Sequence, residues 1–289
     1  MIAVIVPIYN TEKYLRETID SVICQTLSFA EHIRLILLDD ASTDGSFAIC
    51  EQYQKQYPKQ IVVKHYDTNQ GVSALRNEGV RIAGEMGDEL ITFLDSDDKL
   101  ADDAMEKAVQ YFDAHEDVFV AAIGIRYFDA YEGEQRLNWR FEKTDVVDIK
   151  KDYTYPHYYV GGVFLRHAVL DELHFDESLS FWEDALAVNQ VIVSQGKYGL
   201  IAGTHYYYRK REDESSLVDT AWHKKERYTT LLSSGYGQLF AYSRKKHHRI
   251  IPYVQYMVAY HMRLMMMKSK QSIIEEILSE EELAALRDD

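Results

Sequence analysis

Asp95-Ser96-Asp97-Asp98 follows directly on the apolar run Ile91 to Leu94, so several carboxylates stand at the end of a short buried segment. A carboxylate cluster of this kind is an oxygen-rich site for Mg²⁺ or Mn²⁺, ions that keep part of their shell for phosphate oxygens. Such an ion would neutralise charge building on a departing diphosphate. The same residues could also form a plain acidic turn ahead of a helix near Asp102. A second cluster, Asp39-Asp40-Ala41-Ser42-Thr43-Asp44-Gly45-Ser46, leaves another apolar run. Ser42 or Asp44 would serve as a helix cap there, with Gly45 easing the turn. Capping needs one such residue, however, and an Asp at this place can accept the N3 proton of a uracil ring.

Two further groups carry charge in a pattern fit for chemistry. Glu183-Asp184 opens a helical pattern, where acids offset the macrodipole and where a carboxylate could also take a proton from a hydroxyl. His205-Tyr206-Tyr207-Tyr208-Arg209-Lys210-Arg211 ends a strand and precedes a polar loop with Ser215 and Ser216. Arg211, and less directly His205, could grip a diphosphate there once the loop closes and excludes water. Gly161-Gly162 would let backbone pass close to a bound sugar, or form a turn or bulge.

These residues need elements to hold them. Ile2 to Tyr9, Arg34 to Asp40, Ile61 to Tyr66 and Leu90 to Asp95 are short, branched, apolar runs of the buried parallel-strand type. Helical spacing separates them: Tyr14, Ile19, Val22 and Ile23 recur in the first helix, with Thr11 as its expected N-cap. Further helices are predicted from about Ser46, about Val72 and Asp102 to His115. The order predicts an α/β fold, a mostly parallel sheet with right-handed crossovers and helices on both faces. Ligands sit at the carboxyl ends of such strands, where the acidic clusters fall. The pattern then turns mixed, with strands at Val118 to Phe128, Tyr158 to Leu165 and Tyr198 to Arg209 and a helix at Glu183 to Ser194. From about Thr220 it is helical. In the tail Tyr253, Tyr256, Met257, Tyr260, Leu264 and Met267 form one apolar stripe, read as core or as an oligomer seam.

The bulk numbers narrow the partners. With 47 Asp and Glu against 32 Lys and Arg in 289 residues, the formal net charge is −15. That balance argues against nucleic acid as partner. An acidic chain that handles a diphosphate is expected to enlist a divalent cation. Cys24 and Cys50 are too few for a disulfide framework, so a reducing compartment is expected, with both thiols in helical core positions. The opening MIAVIVPIYN reads as a strand and not as a signal peptide. Tyr253 to Met267 is interrupted by His261 and Arg263 and is too short to cross a bilayer, which needs about 20 apolar residues; a peripheral membrane face stays compatible with it. No Gly-rich phosphate loop follows the first strand, against both a nucleotidyltransferase and a dinucleotide-binding dehydrogenase.

Together, Val6-Pro7-Ile8-Tyr9-Asn10, Leu38-Asp39-Asp40-Ala41-Ser42-Thr43-Asp44, Asn69-Gln70-Gly71-Val72-Ser73-Ala74-Leu75-Arg76-Asn77 and Asp95-Ser96-Asp97-Asp98 resemble, in order and spacing, the family 2 glycosyltransferases with the GT-A fold. Phe175 to Asp184 is similar to that family's Glu-Asp segment, so the resemblance covers roughly residues 1 to 215. It implies a GT-A domain over 1–215, with a nucleotide-binding half about 1–100 and an acceptor and sugar half about 101–215, followed by a helical extension 216–289. It implies transfer of a sugar from a nucleotide-diphosphate donor, a UDP-sugar favoured, to a hydroxyl acceptor with inversion. By the same resemblance Asp40 reads uracil, Pro7 and Tyr9 line the nucleoside pocket, and Arg76 lies near the nucleotide. Asp97 is then the direct metal ligand and Asp95 holds the ribose or the metal's water shell, with Ser96 between them. Asp184 is the general base, and Glu183 orients acceptor or sugar. The tail resembles segments that follow the transferase module in bacterial teichoic-acid-type polymer enzymes. That implies a surface glycan or polyol-phosphate acceptor, or a chain that is a fragment of a longer protein; the reducing compartment expected from the cysteines makes the expected location cytoplasmic, with a peripheral place at the inner face of the membrane compatible with it. The alternative is a nucleotide-sugar-binding assembly module of a larger protein that performs no transfer.

Overall fold

The computed structural model describes residues 1–211, 221–265 and 267–288. The expected polar loop at Ser215-Ser216 and the expected boundary at 215/216 lie outside the described residues.

Four parallel strands form one half of the sheet: β1 (Ile2–Ile8), β2 (Ile33–Asp39), β3 (Ile61–His65) and β4 (Leu90–Phe93). They are linked by α1 (Glu12–Ile23), the short α2 (Phe29–His32), α3 (Ser46–Gln56) and α4 (Val72–Glu85). The second half brings β5 (Lys99–Leu100), α5 (Ala104–Ala114), β6 (Val120–Asp129), β7 (Gly133–Glu134), β8 (Val146–Asp148), β9 (Val163–Arg166), α6 (Glu183–Gln195) and β10 (Lys197–Lys210). The ten strands make one sheet in the order β3-β2-β1-β4-β9-β6-β10-β5, with β7 on β6 and β8 on β10. β9 runs antiparallel to both β4 and β6, and this joins the two halves. The predicted strand from Tyr158 begins only at Val163, because residues up to Gly162 turn across the sheet end and Gly162 has φ +71°.

Strand β1 runs beside β2 on one side and β4 on the other: the chain first builds outward from β1 to β2 and β3, then α4 carries it back past β1 to β4, and this reversal of strand order opens a crevice at the carboxyl end of β1. Pro7 helps to open it. The β1–β4 register ends at Ile5↔Phe93, with Leu94 N–H donating to Ile5 O, while β1–β2 continues to Ile8↔Asp39. Successive strand residues alternate their hydrogen-bonding edges, so Pro7 shares Ile5's edge, and its missing N–H falls on the β4 side where pairing has stopped.

Apolar layers cover both faces. One contains Leu15, Ile19 and Val22 of α1 with Met105 and Phe112 of α5; the other contains Leu75 of α4, Leu186 and Val191 of α6, and tail residues. The tail helices are α7 (Gly237–His247), α8 (Pro252–Met265), α9 (Lys268–Ile277) and α10 (Glu280–Asp288), preceded by short turns between Ala221 and Tyr236. Tyr253 and Met257 of the predicted stripe are fully buried in the same core as α6, and the Tyr253 hydroxyl donates to Asn189 Oδ1 at 2.8 Å. The stripe's inner residues therefore form intrachain core. Tyr256 and Tyr260 are half-buried beside Tyr153 and Tyr158, Met267 is exposed, and the Leu264 side chain lies outside the described residues.

Two local expectations are corrected. Thr11 flanks α1 but makes no side-chain cap. The Asp44 carboxylate accepts Glu12 N–H at 3.0 Å and Ser46 N–H at 2.9 Å, satisfying the starts of α1 and α3 together. A cap from a distant loop outcompetes the local one because it serves two helices at once. Cys50 is buried as expected, but Cys24 falls just past the end of α1 and is exposed.

Candidate active site

The residues singled out from sequence converge on the crevice at the end of β1 and β4, and one side chain ties them together. Arg76, on the first turns of α4 and 5% exposed, donates through Nη2 to Asp95 Oδ1 at 3.1 Å and through Nη1 to Glu183 Oε1 at 3.0 Å. Its guanidinium also lies over the Phe175 ring, 5.6 Å from the centroid. Burial alone would depress its basicity, but the charges of Asp95, Glu183 and Asp184 hold its pKa above the usual arginine value. A guanidinium that bridges two carboxylates fixes both rotamers. Asp95 at the end of β4 and Glu183 at the start of α6 are thereby held on either side of one buried cation.

The Asp95 to Asp98 loop is anchored along its whole length. Tyr206 of β10, 1% exposed, accepts Asp95 N–H at 3.1 Å through its hydroxyl and donates the hydroxyl proton to Asp98 Oδ2 at 2.7 Å. Asp98 Oδ1 accepts Arg209 N–H at 2.7 Å, Arg209 Nε donates to Asp97 O at 2.7 Å, and Thr18 Oγ1 donates to Ser96 O at 3.0 Å. Asp98 is thus a structural carboxylate, and burial pushes its pKa well up. Ser96 is buried and contributes its carbonyl to this scaffold. Gly161 is required beside it: a Cβ there would stand 2.7 Å from the Tyr206 ring. Removing the Tyr206 hydroxyl leaves Asp95 N–H unpaired and Asp98 short of a donor, at about 1–3 kcal/mol for a buried unmet group. Tyr206→Phe is expected to lower the thermal midpoint and to weaken metal-dependent nucleotide affinity, read by calorimetry. An unchanged affinity would separate Tyr206 from the loop's binding role.

Asp95 and Asp97 are the loop carboxylates open to a ligand. Asp97 pairs with Arg211 Nη2, and burial raises its carboxyl pKa despite that partner. Arg211 and Arg209 both lie over the Tyr14 ring, at 5.0 and 4.7 Å from its centroid, and Arg209 also pairs with Glu17 at 2.5 Å and Asp129 at 2.9 Å. Arg211, expected to meet a diphosphate, directly follows the end of β10 and is held by Asp97. His205 lies farther off, 3.8 Å from Glu134.

Asp40, 3% exposed, accepts Gln70 N–H at 2.6 Å and Gly71 N–H at 2.9 Å, one on each carboxylate oxygen. Gly71 presents its N–H from φ +87°, a conformation glycine adopts freely. Each oxygen keeps a second lone pair, so the carboxylate is oriented without being saturated. Beside it Asp39 Oδ2 meets His65 Nδ1 at 2.7 Å, while its Oδ1 is buried with no partner among the described residues. Tyr9, 51% exposed, directly follows the end of β1, two positions after buried Pro7.

Glu183 and Asp184 are aimed inward by an unusual turn. Trp182, the residue before α6, has φ +71° and ψ 9°, a left-handed conformation that costs a bulky side chain about 1–2 kcal/mol. Packing holds it there. Trp182 is 4% exposed, its indole meets Tyr236 edge-on at 4.9 Å, and His261 of α8 lies 5.9 Å away. Asn10, Ala41 and Asp129 also have positive φ, and all border the crevice or its arginines. His248 at the end of α7 is a further such residue, and among them Trp182 is the bulky side chain that its packing must over-determine. Asp184 has its pKa raised to about 7, by burial first and then by the Glu183 charge, against the opposing pull of Arg76.

Of the residues picked out from the sequence, Arg76 joins Asp95 and Glu183, Asp184 follows Glu183, Arg211 pairs with Asp97, and Pro7, Tyr9 and Asp40 lie at or just past the carboxyl ends of β1 and β2. Tyr206, Arg209, Thr18 and Trp182 were not assigned roles. Tyr206 and Arg209 lay within a quoted basic-aromatic run, but nothing local indicated which of its side chains turned inward.

The model of the family described as glycosyl transferase family 2 matches residues 3–174. The minor teichoic acid biosynthesis protein GgaA of Bacillus subtilis is 40% identical over 100% of this chain and 65% of its own length. GgaB of the same organism is 36% identical over 90% of the chain and 29% of its own length. The chain therefore spans less than two thirds of either relative. In three dimensions it is similar to S. aureus TarS residues 1–349 solved with UDP, with a TM-score of 0.73 and 21% identity over 98% of this chain and 76% of that one. A mannosyltransferase from Pyrobaculum calidifontis, solved with GDP-Man and Mn²⁺, follows at a TM-score of 0.59 and 16% identity over 94% and 82% of the two chains. Both likenesses are of fold: an α/β GT-A sheet with flanking helices.

Proposed function

The chain belongs to glycosyl transferase family 2, and from that premise we propose that it moves a sugar from a uridine-diphosphate donor to a hydroxyl of a polyol-phosphate polymer, with inversion at the anomeric carbon. The observation that carries this reading is the Arg76 bridge. One buried guanidinium touches Asp95 of the loop that would meet the diphosphate and Glu183 next to the base candidate. The proposed leaving-group side and proton-accepting side of a single displacement would thus be tied to the two terminal nitrogens of one guanidinium.

Asp184 takes the proton of the acceptor hydroxyl as that oxygen attacks the anomeric carbon, and the bond from that carbon to the diphosphate oxygen breaks with its electron pair leaving on UDP. Glu183, locked by Arg76, orients acceptor or sugar. Asp40, fixed by two backbone N–H groups, reads the uracil N3 proton, with Pro7 and Tyr9 framing the base. Arg211 exchanges Asp97 for the diphosphate, adding a cation to the leaving group. Asp95 and Asp97 fit a hard divalent ion: they are all-oxygen donors on one anchored loop, and each already draws a guanidinium. Among the described residues no third carboxylate, His or Cys joins them as a metal-binding group, so phosphate and water would have to complete the shell of such an ion. Such an ion would supply Lewis-acid neutralisation of the diphosphate.

GgaA and GgaB, named for minor teichoic acid biosynthesis, support the polymer acceptor. A structure of TarS with UDP-GlcNAc makes uridine the first nucleotide to try. Among the described residues no helix is long and apolar enough to cross a membrane. Calorimetric titration of UDP, CDP and GDP, with Mn²⁺ and with chelator, tests the donor reading. Metal-dependent preference for UDP is expected, and equal affinities would remove Asp40 as the base reader. An assembly module without activity would bind and not turn over.

The raised Asp184 pKa sets a pH dependence. The base works ionised, so kcat/KM should fall about tenfold per pH unit below about 7 and level off above it. A profile flat down to pH 5 would exclude a base titrating there.

A further inference from the structure

Most cations of this acidic chain that appear in ion pairs sit singly beside carboxylates: Lys64 with Glu78, Arg81 with Glu85, Lys99 with Glu17, Lys107 with Asp103. The end of α7 departs from that pattern. Arg244-Lys245-Lys246-His247-His248-Arg249 places four lysines and arginines and two histidines in six consecutive positions of a chain with net charge −15. Lys246 reaches Ser194 Oγ at 2.9 Å and Glu172 at 3.6 Å, and His247 Nε2 meets Val193 O at 2.9 Å. Arg244, Lys245 and Arg249 are exposed, and their side chains have no ion pair or hydrogen bond among the described residues. A helix C-terminus attracts cations by about 0.3–1 kcal/mol each within its last turn. Arg249 lies beyond the helix, past the left-handed turn at His248 with φ +59°, so the dipole does not account for the whole cluster.

The patch has a fixed relation to the active site. It is attached to the far end of α6 through Val193 and Ser194, whereas Glu183 and Asp184 begin that helix. At 1.5 Å per residue, Asp184 and Ser194 are about 15 Å apart along the axis. We infer that Arg244, Lys245 and Arg249 form a docking surface for a polyanionic phosphodiester chain, a remote segment of the same polymer whose hydroxyl is glycosylated at Asp184. This rests on the polyol-phosphate acceptor reading above. Charge complementarity argues for it: repeating phosphates meet unpaired cations, and a flexible polymer spans about 15 Å where a single sugar does not. An anionic membrane is the poorer match. The exposed large apolar side chains among the described residues are Met1, Tyr9, Met86, Tyr131, Trp139, Tyr153 and Met267, none of them between 237 and 252. The apolar side chains beside the patch, Phe240, Tyr242 and Ile250, are only partly exposed and pack against the core, so the patch offers no fully exposed apolar side chain to insert between lipids.

The test is the triple variant Arg244→Gln, Lys245→Gln, Arg249→Gln, assayed on purified poly(glycerol phosphate) and on a single glycerol phosphate unit. With the polymer KM should rise roughly tenfold and its salt dependence should flatten, as lost phosphate contacts demand. UDP affinity, kcat and KM for the single unit should stay at wild-type values. A wild-type KM for the polymer would overturn the inference, as would retention of the wild type by phosphatidylglycerol vesicles that excess polymer does not release. If the wild type transfers only to neutral glycans, the acceptor reading itself fails. If it glycosylates the polymer and the variant does so equally well, only the docking surface fails.

Discussion

Asp184→Asn should bind UDP and metal as the wild type does and lose transfer by about 10²–10⁴-fold, the usual contribution of a positioned general base. The substitution keeps the shape and the oxygen that accepts Ala185 N–H at 2.6 Å, so the start of α6 is undisturbed. It removes one negative charge from a cluster in which burial and Glu183 already disfavour ionisation. Stability should therefore hold or rise. Glu183→Gln is the informative contrast, because it weakens a direct bond to buried Arg76 and should disturb the Asp95 loop as well. Equal losses of turnover with unequal losses of nucleotide affinity would assign the base to Asp184 and orientation to Glu183. An Asp184→Asn enzyme that transfers at the wild-type rate would end the base assignment.

Asp97→Ala acts on the other side of the reaction. It deletes the carboxylate proposed to hold the metal and releases Arg211 from its ion pair, without touching the Tyr206 and Arg209 side-chain and backbone bonds to Asp98. Neutralisation of a leaving diphosphate by a metal is worth several kcal/mol, so kcat should fall by roughly a thousandfold at about 1.4 kcal/mol per decade. Calorimetry should show UDP affinity that no longer responds to Mn²⁺. Asp98→Asn should behave differently, lowering the melting temperature through its buried partners. If Asp97→Ala keeps a metal-dependent UDP affinity, Asp95 alone would hold the ion.

Much of the site was legible because its parts lie at strand ends. Asp39-Asp40 ends β2 and Asp95 follows β4, and the apolar runs that precede them are too regular to be mistaken for anything but buried strands. Arg76 was assigned to the nucleotide's neighbourhood, whereas its direct partners are Asp95 and Glu183. The bond to Glu183 joins residues 107 positions apart, and no local pattern encodes such a pairing. Cys24 was misplaced for a simpler reason: helical spacing extends past the point where α1 stops.

The tail shows the same division. Its stripe was visible, but its partner was not. Tyr236 and His261 pack against Trp182, whose left-handed turn aims Glu183 and Asp184 into the crevice, so residues outside the family match at 3–174 help to place the proposed base.

The order of residue types was enough to establish which chemistry is available. Residue type sets charge and ligand hardness, and a period of 2 or 3.6 sets which short runs become strands and helices. Which carboxylates are open and which are consumed was settled by the folded chain alone. Asp95 and Asp97 stay partly exposed beside Arg76 and Arg211, while Asp98, their immediate neighbour, is buried and spent on Tyr206 and Arg209 of β10, 108 and 111 positions away. The physical reason is that a carboxylate's role follows from the donors around it, and those donors are delivered by the register of β10 on β6 and by packing between distant segments, which no stretch of chain contains on its own.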